Sequence, residues 1–337
     1  MKDKYTIYLL GYTQFGHTNH FPWKKFYEVF KHLGYNIKWV EKEGIGNEEN
    51  RIFIVWDTPD TADLINDGIY KDGDIILHKL VCMCRYDKGV NWGDTKEKAE
   101  EFFKTWRFSL HKIFEDAYDA GYNIYAFGAK TNPKGHLEKE RILNKLNHRY
   151  FPVPWGSSLY SYDEVQNCKP VMDNFYYDIG FVGSIWGKPG RGNIDSVEAY
   201  LSPLLQEHSA DLGGPGTQRS YVDDETHKEI LKHGKVCPII NALSWKVEKG
   251  LMDRFWTVFT AGRFGVVDSE GAYDFFNEDE VVYADSAEEY IDKTKYYIKN
   301  IDKQLPFIEK VQKRIREEYN WYHTWDNILT TIIKENS

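Results

Sequence analysis

The stretch Asp253-Arg-Phe-Trp-Thr-Val-Phe-Thr-Ala-Gly-Arg-Phe-Gly-Val-Val-Asp268 constrains the fold more than any other part of the chain. It reads as a short helix, a glycine stop, a buried strand and an acidic loop. Asp253 is the expected N-cap, and Gly262 the expected left-handed residue just past the helix end. Phe264 to Val267 form an apolar β run closed by Asp268. Free backbone N–H groups at the start of such a helix, with the Arg254 charge beside them, make an anion site. The alternative is an ordinary αβ unit whose arginine pairs with a surface carboxylate.

The same alternation of β runs and helical stretches recurs along the chain, which predicts α/β layers with parallel strands. Strands are expected at 5–10, 36–40, 52–56, 75–84 and 123–127, with helices at about 23–33, 96–120 and 134–146. The prolines and glycine of Tyr150-Phe-Pro-Val-Pro-Trp-Gly-Ser-Ser then break the pattern, as an interdomain connection would. A second unit follows from Asp178, with helices expected at about 286–300 and 306–318 before an aromatic, amphipathic tail. The expected fold is therefore two Rossmann-like, doubly wound α/β domains, residues 1–150 and 151–318, facing a central cleft. A terminal helix is expected over 319–337. Ligands of open α/β sheets bind at the carboxyl ends of the strands.

Composition narrows the partners. Lys and Arg number 43 against 52 Asp and Glu, a formal net charge of −9, which argues against a surface built mainly for polyanions. No run of about 18 apolar residues appears, so no membrane span is expected. The start is too short an apolar run for a signal peptide and reads as a first buried strand. Four cysteines (Cys82, Cys84, Cys168 and Cys237) read as free thiols, consistent with a cytoplasmic location. Cys82 and Cys84 share one face of a strand-like run without further ligands at metal spacing, which favours core packing. Asp72-Gly-Asp74 has the letters of a metal-binding Asp-x-Asp but precedes its strand, so it reads as a turn. No metal is expected.

Several segments of the second half resemble, in order, the donor-binding domain of GT-B glycosyltransferases, in particular the CgeB-like (spore maturation protein) group. Asp178-Ile-Gly-Phe-Val-Gly-Ser184 is similar to that family's first strand and glycine turn, with Arg191 close behind. Asp211-Leu-Gly-Gly-Pro-Gly216 resembles the next strand and loop, and Ile239-Ile-Asn241 the step near the donor. Arg254 to Asp268 resembles the Arg-x-Phe-Glu signature, and Asn277-Glu-Asp-Glu-Val-Val-Tyr283 the loop and strand after it. Tyr322-His-Thr-Trp-Asp-Asn-Ile-Leu329 is similar to the closing segment, whose helix in that family commonly crosses back to the N-terminal domain. The first 150 residues match only in architecture.

The resemblance implies a nucleotide-sugar as co-substrate rather than a cofactor. Gly183, Ser184, Arg191, Gly213, Gly214, Asn241, Arg254 and Thr257 would bind the donor, with Gly16 from the first domain. The family glutamate that holds the donor ribose falls on Thr257, which can give one neutral hydrogen bond but no carboxylate. A deoxyribose donor, or a carboxylate from another loop, would answer that change. Stabilising the leaving diphosphate needs preorganised N–H groups and a cation. His17, in the loop after the first strand, is a candidate general base, and Asp57 after the third is an alternative. His20 lies three residues beyond His17, and Asp60 three beyond Asp57.

The leading expectation is a soluble, metal-independent glycosyltransferase with an unidentified acceptor, whether glycan, protein or modified nucleic acid. A noncatalytic sugar-nucleotide-binding protein is the second. A viral-type DNA-base glycosyltransferase is the third. It would use Lys130, Lys134, Lys139, Arg141, Lys145 and Arg149, although Glu138 and Glu140 interrupt that cluster as on a solvated helix face.

Overall fold

The computed structural model describes residues 2–14, 20–56, 58–79, 116–128, 149–154, 156, 158–188, 191–247 and 249–337. They fall into two compact units, one drawn from residues 1–83, 100–154 and 321–337, the other from residues 155–320. The expected helix at 134–146 and most of that at 96–120 lie outside the described residues, as do Cys82 and Cys84.

The first unit is a parallel sheet of β1 (Thr6–Leu10), β2 (Asn36–Val40), β3 (Arg51–Val55), β4 (Ile75–Lys79), β5 (Ile124–Gly128) and β6 (Tyr150–Pro152). Its order is β2-β1-β3-β4-β5-β6. Every residue of β1, β3, β4 and β5 is buried, as strands covered on both faces require. The order reverses between β1 and β3, so the loops leaving those two strands start at a topological switch point. Helix α1 (His20–His32) buries Trp23, Phe26, Val29 and Phe30, one helical stripe, and the chain then turns at Gly34 with φ +78°.

One helix was not legible. No helix is expected between the strands at 52–56 and 75–84, yet α2 (Thr58–Asn66) lies there. A proline in the first helical turn has no N–H to waste and already holds a helical φ, so it opens the helix rather than breaking it.

Asp72-Gly-Asp74 is the expected turn, with Gly73 at φ +89°. Asp74 and Arg51 form an ion pair whose side chains are 2% and 1% exposed. Arg51 Nε donates to Asp74 Oδ1 at 3.1 Å, and its Nη groups donate to the carbonyls of Gly46 and Ile69. The Lys71 amide also donates to Asp74, at 2.8 Å. These bonds make a buried charge pair tolerable.

The second unit runs through α3 (Tyr162–Gln166), β7 (Tyr177–Val182), the hairpin β8 (Gly187–Lys188) and β9 (Arg191–Gly192), and a helical segment over 194–205. It continues with β10 (Ala210–Gly213), α4 (Asp224–His233), β11 (Gly234–Val236), α5 (Leu243–Val247), α6 (Asp253–Thr260), α7 (Ala287–Lys299) and α8 (Leu305–Glu317). Strands β10, β7 and β11 pair in parallel in that order. Past β11 the chain stays extended: the amides of Cys237 and Ile239 donate to the carbonyls of Phe264 and Val266, and the Val267 amide to that of Val282. The expected strand at 264–267 is thus an extended segment, bridged on both sides at Val267 alone.

Helix α6 ends as expected on Gly262, at φ +80°. Its start differs from expectation. Met252 is the N-cap and Asp253 the first helical residue. The Asp253 carboxylate turns away from the helix amides to Ser158, which donates through both its amide and its hydroxyl at 3.2 Å. From Phe255 to Thr260 every residue of α6 is buried, so only its first turn carries polar groups toward the sheet edge.

The last helix, α9 (Trp321–Glu335), is part of the first unit. It buries Trp321, Trp325, Ile328, Leu329, Ile332 and Ile333, and Trp321 and Trp325 pack edge-on against Phe26 of α1.

Asp74→Ala leaves the Arg51 guanidinium buried without its counter-ion and should cost about 3–5 kcal/mol in chemical denaturation. Adding Arg51→Met should recover part of that loss; a single substitution within about 1 kcal/mol of wild type would contradict a buried pair.

Candidate anion-binding site

The carboxyl ends of the second unit's extended segments carry Gly183 and Ser184 after β7, Gly213 and Gly214 at the end of β10, Asn241 after Ile239, and Asp268 after Val267. The first turn of α6 adds Arg254. Its Nε donates to the Val182 carbonyl at 3.1 Å, and its Nη1 to the Ile240 carbonyl. The guanidinium lies 4.5 Å above the centre of the Phe181 ring. No carboxylate stands within ion-pair distance of it among the described residues, so the surface-carboxylate alternative does not hold. Two main-chain carbonyls and an aromatic face fix a whole positive charge without neutralising it. Burial disfavours that charge, while Asp268, Tyr290 and Asp253 act at longer range in its favour.

The glycines are explained by packing. A Cβ on Gly183 would collide with Arg254 Nη2. Gly214, at φ +112°, brings its backbone so close to Gly183 that a Cβ would sit 2.6 Å from the Gly183 carbonyl oxygen. The Gly183 amide donates to the Gly213 carbonyl at 2.9 Å, locking the two turns together. Gly213 is crowded instead by Ile230 and Val222, where a Cβ would approach to 2.8 and 2.9 Å. Asn193 ties down the loop after β7: its Nδ2 donates to the Ser184 carbonyl at 2.6 Å, and its Oδ1 accepts from the Trp186 amide at 2.9 Å.

A second polar cluster stands next to the arginine. Asp268 is buried and accepts from the Asn241 amide through both oxygens, at 3.0 and 3.1 Å, and from Asn241 Nδ2 at 2.6 Å. Lys246 Nζ lies 2.9 Å from Asp268 Oδ2. Burial pushes the Asp268 pKa up, and Lys246 and Asn241 oppose that shift. The Asn241 Oδ1 atom is itself buried without a hydrogen-bond partner, an acceptor left unused at this edge.

The carboxylate of Asp253 is committed as well. Burial raises its pKa to about 6, against the Ser158 bonds, the Arg254 charge and a hydrogen bond from the Thr257 side chain. Thr257, the position of the resemblance's ribose-binding glutamate, is 1% exposed and spends its hydroxyl on Asp253. On α4, burial and then the Arg254 charge push His227 down to about 4, so its imidazole is neutral at pH 7.

The structure thus assembles Gly183, Ser184, Gly213, Gly214, Asn241 and Arg254 at one edge, with Thr257 one turn behind Arg254 and facing inward. Gly16, His17 and Asp57 lie outside the described residues, and so does the Arg191 side chain. His20 is described, with its Nδ1 2.9 Å from the Tyr12 carbonyl oxygen. From sequence neither Lys246 nor His227 is expected at the site, and Asp253 has a cap's role alone. Aspartate favours the cap position, which is what local preference predicts for Asp253, and His227 sits on α4, a helix absent from the sequence-based expectations. Lys246, the cation lying between Asn241 and Arg254 in the chain, was the available signal. Among the described residues no group of three or more His, Cys, Asp or Glu is arranged to hold a metal ion, and no helix is long and apolar enough to cross a membrane.

Residues 183–330 match a family model described as glycosyl transferase-like. The match begins at Gly183 and takes in Gly213, Asn241, Arg254 and Asp268. Two solved structures share the architecture at low identity. One is Anabaena Alr3699/HepE in complex with UDP, with TM-score 0.56 and 8% identity over 98% of this chain and 99% of that one. The other is an α1,3-fucosyltransferase with GDP, with TM-score 0.52 and 11% identity over 99% of this chain and 90% of that one. No protein of curated function matches the chain. The fold is α/β of the GT-B type, with parallel sheets in Rossmann-like domains.

The Asp253 environment gives a pH signature. Its folded pKa is raised, so the fold favours the protonated acid. The contribution of this residue to stability therefore falls as pH rises from the unfolded value near 4 to about 6, and is constant above that. Asp253→Asn should be more stable than wild type at pH 7.5 and lose that advantage near pH 4, measured by denaturant titration at both. An advantage independent of pH would contradict the buried carboxylate.

Proposed function

We propose that the chain is a nucleotide-sugar-dependent glycosyltransferase in which the second unit binds the donor diphosphate at Arg254. One observation carries this reading: a partly buried guanidinium at the carboxyl edge of a parallel sheet is fixed by the Val182 and Ile240 carbonyls, with no carboxylate at ion-pair distance among the described residues. The glycosyl transferase-like match over 183–330, and neighbours of the same fold solved with UDP and GDP, support it. The order of motifs supports a place in the CgeB-like group.

In this reading Arg254 and the first amides of α6 take up the charge that develops on the leaving diphosphate as the glycosidic bond to it breaks. They are preorganised, since the arginine is already held before a ligand arrives, and the charge is met without a divalent metal. Ser184 and Asn241 complete the donor side. His17, with Asp57 as the alternative, is proposed as the base that takes the acceptor hydroxyl's proton. The buried free thiols of Cys168 and Cys237 accord with a reducing, cytoplasmic setting.

A second reading, a noncatalytic sugar-nucleotide binder, draws on the committed carboxylates: Asp253 is held by Ser158 and Thr257, and Asp268 by Asn241 and Lys246. Donor hydrolysis or transfer separates the two, because a binder turns nothing over. The DNA-base reading gains no such support. Arg149, the one member of its basic cluster among the described residues, donates to Asn123 and lies over the Tyr118 and Tyr125 rings.

A thermal-shift screen against UDP, GDP, dTDP and CDP and their sugars tests the site. Saturation at about a hundred times Kd adds about 2.7 kcal/mol to the native state and raises the melting temperature. Arg254→Ala should abolish most of that rise, measured against its own unliganded melting point. A rise that survives the substitution would place the diphosphate elsewhere.

A further inference from the structure

We infer that Lys246 is the second cation of the donor site and contacts the diphosphate together with Arg254. The inference rests on the donor reading above and adds a residue that the resemblance does not assign. Lys246 lies on α5, between Asn241 and the Arg254 helix, with its side chain 16% exposed. Its ammonium stands 2.9 Å from Asp268 Oδ2 and 3.8 Å from the centre of the Tyr200 ring. Those contacts fix the head of a long side chain that would otherwise lose its rotamer freedom on binding a ligand.

Three points separate this lysine from a plain partner of a buried acid. Asp268 has other donors besides it, since the Asn241 amide reaches both carboxylate oxygens and Asn241 Nδ2 reaches Oδ1. An ammonium has three protons, and Asp268 uses one of them. Both cations also brace a single dipeptide: Arg254 holds the Ile240 carbonyl, while Lys246 holds the carboxylate that binds the Asn241 amide. A diphosphate brings at least two negative charges to a place where Arg254 supplies one positive charge. The nearby Lys249, by contrast, is spent on an exposed pair with Glu270.

Calorimetric titration of UDP against UMP, and of GDP against GMP, tests the assignment. Lys246→Met should weaken the better diphosphate by about tenfold or more, as expected for the loss of one charge-assisted hydrogen bond, and the matching monophosphate much less. Lys246→Arg should restore most of the difference. Because Lys246→Met alone leaves a buried carboxylate short of a counter-ion, the neutral pair Lys246→Met/Asp268→Asn is measured beside it and should show the same selective loss with a near-normal melting temperature. Diphosphate affinity unchanged in both variants, with Arg254→Ala still losing it, would overturn the role of Lys246 and leave the arginine site standing. Diphosphate affinity unchanged in Arg254→Ala as well, or absent from the wild-type chain, would overturn both.

Discussion

A partly buried arginine with no carboxylate at ion-pair distance among the described residues organises the second unit. Arg254 gives its hydrogen bonds to carbonyls from two segments far apart in sequence, Val182 and Ile240, and lays its plane on Phe181. Gly183 must lack a side chain to admit it, and Gly214 must take a positive φ to admit Gly183. The missing side chain at Gly183 is therefore a consequence of where the guanidinium sits. Neutral dipoles hold the cation in place without consuming its charge, which a salt bridge would have done. The same arrangement that orders the sheet edge keeps a guanidinium there.

The acids around this arginine are spoken for. Asp268 gathers Asn241 and Lys246 and lies deep in the core, while Asp253 gathers Ser158 and Thr257. The substitution of threonine for the resemblance's glutamate is thereby given a physical meaning. A carboxylate at residue 257 would face Asp253 one turn away inside a buried helix, and like charges there repel strongly. With threonine, the hydroxyl donates to Asp253 instead and satisfies the helix start.

Much of the architecture was legible because it rests on local rules. Runs such as Thr6–Leu10 and Ile124–Gly128 are mostly apolar on both faces, and Gly34 and Gly262 end their helices with positive φ. Arg254 stood out because it lies at an expected helix start within a segment that resembles the glycosyltransferase signature. What escaped depended on contacts across the fold. The triad of Asn241, Lys246 and Asp268 forms only when segments 27 residues apart in sequence lie side by side. Asp253 looked like a cap because local preference favours one, yet Ser158, 95 residues earlier, drew its carboxylate away. Helix α2 opens on Thr58 and Pro59, and a proline favours a helix only where it falls in the first turn.

A crystal structure of the chain soaked with UDP or GDP tests the central claim most directly. The account predicts phosphate oxygens about 3 Å from the Arg254 guanidinium and from the first amides of α6, with the arginine still on the Val182 and Ile240 carbonyls. A nucleotide seated in the second unit with its phosphates away from Arg254, or an arginine that leaves those carbonyls to meet a carboxylate of the protein, would contradict it.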